Sequence, residues 1–175
     1  MPVPASAEEC QFFHKVGSCR HGNKCVRKHT IPSESKAIIL VSMPLPLRHG
    51  RPTNSMDALE KTIENIFVEI ALMAPIQEIV VASNDSPHIS GNVYISFANA
   101  SDAAGVLTNI NARWFNERPI FATYLPSQNP SFAVCREGSS CQRKLDCNYV
   151  HPLVVNEDLW RKLFTAQARS KELPV

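Results

Sequence analysis

The chain reads as α+β: a βαββαβ domain held between two small metal-folded fingers, with a helix at its C-terminal end. Three observations predict this. The first is a repeated ligand spacing. Cys10, Cys19, Cys25 and His29 read C-x8-C-x5-C-x3-H, Cys135, Cys141, Cys147 and His151 read C-x5-C-x5-C-x3-H, and together they use all 6 cysteines. The second is an alternation of strand-like and helix-like patterning from residue 37 to residue 126. The third is an apolar stripe after Asn156, made by Leu159, Trp160, Leu163 and Phe164.

Taken in order, residues 1–9 are proline-rich and acidic, are expected to be disordered, and do not look like a secretion signal. The first finger covers residues 10–30. Three thiolates and one imidazole suit a closed tetrahedral zinc site, which is structural because no position is left for a reacting water. A loop this small cannot bury a stabilising core, so metal binding supplies its folding energy, about 10–16 kcal/mol for zinc-finger peptides. The expected cofactors are two zinc ions. Three disulfides in a secreted protein are the competing reading, disfavoured because both copies keep the x3 gap before histidine.

The central domain, residues 37–126, begins with a short buried strand at 37–42. Pro44, Pro46, Gly50 and Pro52 mark a loop. Ser55 caps a helix whose Leu59, Ile63, Ile66, Phe67 and Ile70 recur at helical spacing, and Pro75 ends it. Residues 76–82 are β-branched, 84–87 form a turn, and 91–97 alternate, with Val93, Ile95 and Phe97 on one face and Asn92, Tyr94 and Ser96 on the other. A second helix at 101–109 turns Ala103, Val106, Leu107 and Ile110 inward. A loop at 111–116 precedes the last strand at 119–125. This order is the ferredoxin-like arrangement of RNA recognition motifs. The second finger spans 133–152. The final helix, 156–171, is capped by Asn156 and is expected to pack on the sheet or the fingers.

Composition narrows the function. Hydrophobic content is 44%, enough for a core. No apolar run is longer than residues 37–41, against the roughly 20 needed to cross a bilayer, so a soluble, intracellular protein is expected. The net charge of +2 is segregated. Lys15, Arg20, Lys24, Arg27 and Lys28 load the first finger, whereas Asp57, Glu60, Glu64 and Glu69 load the first central helix. Opposite patches suggest partners of opposite sign. No nucleophile with a base, no paired acids and no open metal site point to an enzyme.

Phe12, Phe13, Arg20 and Arg27 lie among the ligands of the first finger, and Arg136, Arg143 and Tyr149 among those of the second. Aromatic and guanidinium planes suit unstacked bases, worth about 1–3 kcal/mol each. One of Phe12 and Phe13 is expected to cover the zinc ligands instead. His14 and His21 are read as surface residues. The central sheet is a poor base platform. Its first strand has no aromatic, Asn92 holds the first stacking position of the third, and Tyr94 alone remains outward. Protein recognition is the better use of such a domain. Arg113-Trp114-Phe115 in the 111–116 loop fits an interface anchor, with Trp114 in the core as the alternative.

Finger, RNA-recognition-like domain and finger, with Lys15-Val16-Gly17-Ser18-Cys19-Arg20-His21-Gly22, Gly91-Asn92-Val93-Tyr94, Asn111-Ala112-Arg113-Trp114-Phe115-Asn116 and Cys147-Asn148-Tyr149-Val150-His151, resemble the small subunit of the U2 auxiliary splicing factor over residues 8–165. The resemblance implies a nuclear, non-enzymatic factor whose two fingers bind the AG of the pre-mRNA 3′ splice site. Phe12, Arg20, Val26, Arg27, Arg136, Arg143 and Tyr149 would face RNA. The central domain would bind a Trp-containing basic peptide of the large subunit through Glu60, Glu64, Arg113, Trp114 and Phe115. Three departures stand out. Val26 replaces the family's usual serine, which removes a hydroxyl and bears on the base beside AG. The second finger has five residues between its first two cysteines where seven are usual. No arginine/serine-rich tail follows the last helix, so contacts through one are not expected. A different finger-and-RRM protein of RNA metabolism, or a protein-binding adaptor with structural fingers, are the competing readings.

Overall fold

The structure, a computed structural model, describes residues 8–48 and 51–170. The expectations for residues 1–7, Gly50 and residue 171 lie outside the described residues. Glu8 and Glu9, expected to be disordered, are instead fixed to the first finger. The Lys28 N–H donates to the Glu8 carbonyl at 3.1 Å, and the Cys10 N–H donates to the Lys28 carbonyl at 2.9 Å.

The chain runs through α1 (Gln11–Val16), β1 (Ala37–Leu40), a small hairpin of β2 (Leu47–Arg48) and β3 (Arg51–Pro52), α2 (Met56–Ala71), β4 (Ile76–Val81), β5 (Val93–Phe97), α3 (Ala100–Ile110), a second hairpin of β6 (Trp114–Phe115) and β7 (Arg118–Pro119), β8 (Ala122–Tyr124) and α4 (Glu157–Ser170). The main sheet has the antiparallel order β4-β5-β1-β8. With α2 and α3 across one face, this is the ferredoxin-like, RRM-type architecture that the sequence predicts. The loop expected at 111–116 is partly strand, because Trp114 and Phe115 pair with Pro119 and Arg118.

Strand alternation divides the buried residues into two cores. Ile38 and Leu40 of β1 and Val93, Ile95 and Phe97 of β5 face α2 and α3. The stripe of α2 meets them, with Leu59, Ile63, Ile66, Phe67 and Ile70 all buried, and the Ser55 hydroxyl caps the helix by accepting from the Ala58 N–H at 3.1 Å. The opposite face of the sheet presents Ala37, Ile39 and Tyr94, and it is covered by Val16 from the first finger and Ala133 and Val150 from the second. Tyr94 is therefore not an outward stacking residue: it is fully buried. Burial raises its phenol well above the usual pKa, and the Asn92 amide reaches the hydroxyl at 3.3 Å. Asn92 also accepts from the Ser42 N–H at 3.0 Å. A polar residue at the stacking position thus satisfies the Tyr94 hydroxyl sealed beneath the fingers and the Ser42 N–H just past the end of β1.

α4 packs on α2 and on β4, the edge strand of the sheet. Phe164 and Trp160 approach Phe67 of α2 at ring-centroid distances of 5.1 and 6.5 Å. The Gln167 side chain accepts from the Ile76 N–H at 2.8 Å and donates to the Ile76 carbonyl at 3.0 Å, as a neighbouring strand would. Among the described residues no helix is long and apolar enough to cross a membrane.

Gly17 locks the first finger to the sheet. Its φ is +68°, and a Cβ there would lie 2.0 Å from Ile39 Cδ1. Gly17→Ala is expected to destabilise the zinc-loaded protein by about 1–2 kcal/mol from the left-handed backbone alone, and by more where Ile39 cannot yield. Thermal unfolding checks this against Gly22→Ala, also at positive φ but with nothing within 4 Å.

Candidate functional site

In each finger the residue before the first cysteine forms a parallel bridge with the residue before the histidine: Glu9 with Lys28, and Val134 with Val150. The x5 spacers fold as short 3-10 turns, Gly22–Lys24 and Lys144–Asp146. The spacers between first and second cysteines differ. Eight residues hold α1, whereas five hold only the 3-10 turn Gly138–Ser140. That is the physical form of the shortened second finger.

The result is two sets of four donors. In each, the ligand atoms of three cysteines and one histidine lie within 4.8 Å of one another. Nε2 of His29 and Nε2 of His151 are buried without a hydrogen-bond partner, a costly arrangement that a bound cation resolves. Burial also holds both imidazoles below their usual pKa, keeping them neutral and able to donate a lone pair. Burial pushes the Cys19 and Cys147 thiols up to about 11. Burial acts the same way on Cys10 and Cys135, but the N–H groups of Phe13 and Glu137, with neighbouring thiols, bring these two below the usual value. A divalent cation supplies the charge that lets all three thiols of a set ionise. The donor sets fit zinc, one ion per finger. Phe13 stacks on His29 at 4.4 Å and 6°, so it is the aromatic that covers a ligand.

The fingers meet across the sheet. Phe12 sets its ring edge-on to Tyr149 at 5.8 Å, and Arg20 reaches Asn148 and Asp146 of the second finger. Arg136, Arg143 and Tyr149 line one groove of about 510 Å³ together with Lys15 and Phe132. Arg143 lies 3.4 Å from Glu137 and 3.6 Å from Cys135 Sγ, so it is partly committed to its own finger. Val26, 84% exposed, and Arg27, also exposed, stand apart from this groove.

Sequence reasoning missed Asn84, which staples the second finger to the central domain. Its buried amide donates to the Tyr149 carbonyl at 2.9 Å and accepts from the His151 N–H at 2.7 Å. No signal marks it, since its partners are 65 and 67 residues away. Asn84→Ala is expected to cost about 1–3 kcal/mol by removing the partner of two part-buried backbone groups. Faster loss of zinc from the second finger to a competing chelator would register it, with the first finger unaffected.

A second cavity, about 510 Å³, opens on the far side of the domain between α2 and the β6–β7 hairpin, lined by Glu64, Glu69, Arg113, Trp114 and Phe115 over Ile66 and Ile110. Arg113 is oriented by Glu69 at 2.8 Å and by Asn109 at 2.9 Å. Trp114 is 70% exposed, which removes it from the core. Glu60 does not line this cavity. Its carboxylate accepts from the Asn156 N–H at 3.1 Å at the start of α4, an internal contact. Glu69 takes the place expected of it.

The family model of the C-x8-C-x5-C-x3-H type zinc finger matches residues 6–31. The chain is 33% identical over 168 residues to the splicing factor U2AF 23 kDa subunit of Schizosaccharomyces pombe, covering 91% of this chain and 78% of that protein. It is 29% identical over 178 residues to the splicing factor U2af 38 kDa subunit of Drosophila melanogaster, covering 93% and 67%, and 29% identical over 184 residues to the splicing factor U2AF 26 kDa subunit of Bos taurus, covering 94% and 81%. At 33% identity over 91% of this chain and 78% of the Schizosaccharomyces pombe protein, the chain belongs to the U2AF small-subunit family of splicing factors.

Proposed function

We propose that this protein is a nuclear, non-enzymatic subunit of a pre-mRNA splicing factor, that its paired fingers bind the AG at the 3′ splice site, and that its central domain binds the large subunit. The observation that carries the reading is the division of faces. The sheet face that would stack bases is sealed beneath the fingers. RNA is therefore left to the fingers themselves, through Phe12, Val26, Arg27, Arg136, Arg143 and Tyr149, with Arg20 at their junction. The other side of the domain offers an apolar cavity with an exposed tryptophan and carboxylates at its rim.

The cavity has room for a large aromatic side chain, and Glu64 and Glu69 favour a basic segment around it. Such a partner is the Trp-containing peptide of the large subunit, held by Arg113, Trp114, Phe115 and Glu64. Because the two surfaces lie on opposite faces, RNA and peptide bind together. Sedimentation of the zinc-loaded chain with a basic, Trp-containing peptide of the partner and a short AG-bearing RNA is expected to give a 1:1:1 complex. Displacement of one ligand by the other would contradict the reading.

A further inference from the structure

Arg20 and Asn148 form a joint between the fingers. Arg20 follows the ligand Cys19, while Asp146 and Asn148 bracket the ligand Cys147. Arg20 Nε donates to Asn148 Oδ1 at 2.8 Å, Nη2 donates to the Asp146 carbonyl at 2.6 Å, and Nη1 lies 3.6 Å from Asp146 Oδ1. Three nitrogens of one planar fork thus address a single tight turn next to the other finger's zinc ligand. The loop between β4 and β5 closes the joint from below. The Ser18 hydroxyl donates to the His88 carbonyl, and the charge of Arg20 acts on the His88 imidazole. Burial, with the Arg20 charge, holds that imidazole below its usual pKa and favours its neutral form beside the guanidinium.

We propose that Arg20 is a positioning residue: it locks the two fingers in one register, so that the protein assembles the RNA surface before RNA arrives. The Nε and Nη2 donors that face Asn148 and Asp146 are spent on the joint, so a phosphate could be met only by the remaining N–H groups. The proposal deepens the two-finger RNA reading and rests on it for affinity, but not for the joint itself.

Lysine separates a clamp from a phosphate contact. It keeps the charge but cannot reproduce a fork that uses Nε and Nη2 together. The test uses the zinc-loaded full chain as wild type, Arg20→Lys, Asn148→Ala and the double variant. RNA affinity is measured by anisotropy at two salt concentrations, and amide hydrogen exchange over residues 145–151 is measured without RNA. A clamp predicts that Arg20→Lys and Asn148→Ala each lower affinity about tenfold or more, the scale of a charged hydrogen bond. The double variant should be no worse than either single, and exchange at 145–151 should rise in all three. Near-wild-type affinity in Arg20→Lys, additive losses in the double variant, or unchanged exchange in Arg20→Lys would each overturn the proposal. If wild type binds no RNA, the RNA reading fails, and the exchange measurement alone decides the clamp.

Discussion

Removing zinc from either finger is expected to abolish specific RNA binding and to loosen the central sheet as well. Each finger is too small to hold itself together, so its fold depends on metal binding worth about 10–16 kcal/mol. The loss does not stay local. Val16, Ala133 and Val150 are the cover over Ile39 and Tyr94, and a finger that melts opens that core. Cys25→Ala and Cys147→Ala are each expected to lower RNA affinity to the level of nonspecific binding. Hydrogen exchange at residues 93–97 is expected to quicken most in Cys147→Ala, because the second finger supplies two of the three covering residues. Full RNA affinity in either mutant, measured by anisotropy, would contradict a joint site. Unchanged exchange in both would contradict the covering role.

The second large effect is on the far face. Trp114→Ala is expected to weaken the Trp-containing partner peptide by at least about 2 kcal/mol, near 30-fold, as for other aromatic anchors. Stability should stay within about 0.5 kcal/mol, because the ring is mostly exposed. Arg113→Ala acts on the same cavity and should be comparable, since it also releases Glu69 from their 2.8 Å ion pair. Glu60→Gln is the informative control. Its carboxylate serves the start of α4, so peptide affinity should hold while stability falls slightly. Calorimetric titration separates these outcomes. Unchanged affinity in Trp114→Ala would remove this cavity from the partner interface.

What the sequence made legible was what local chemistry dictates. Repeated ligand spacing exposes the metal sets, and the α2 stripe, capped by Ser55, exposes the helix that walls the cavity beside Trp114. The missing platform aromatics pointed in the right direction, but the reason lies in tertiary structure. Asn92 and Tyr94 are buried under segments distant in the chain, and no periodicity within β5 says what covers its second face. The same limit hides the inter-finger contact of Arg20, whose hydrogen-bond partner is 128 residues away. It explains Glu60 and Glu69 too. Both are acidic residues on α2, and only the packing of α4 and the hairpin decides that one meets Asn156 and the other meets Arg113. The sequence left the seat of α4 open between sheet and fingers for a related reason: an amphipathic helix announces that it will bury one face, not which surface will receive it.

The most direct test of the central claim compares RNAs ending in UUAG, UUAC and UUCG, titrated at one fixed salt concentration against the zinc-loaded chain with the partner peptide present. Fixed salt matters because backbone contacts alone respond steeply to it. Two fingers held as one reading surface predict clear preference for UUAG, with Val26 and the short spacer of the second finger tolerated. Equal affinity for all three RNAs would contradict AG recognition and leave a general RNA binder, and no binding at all would leave the fingers as structural parts of a protein-binding adaptor.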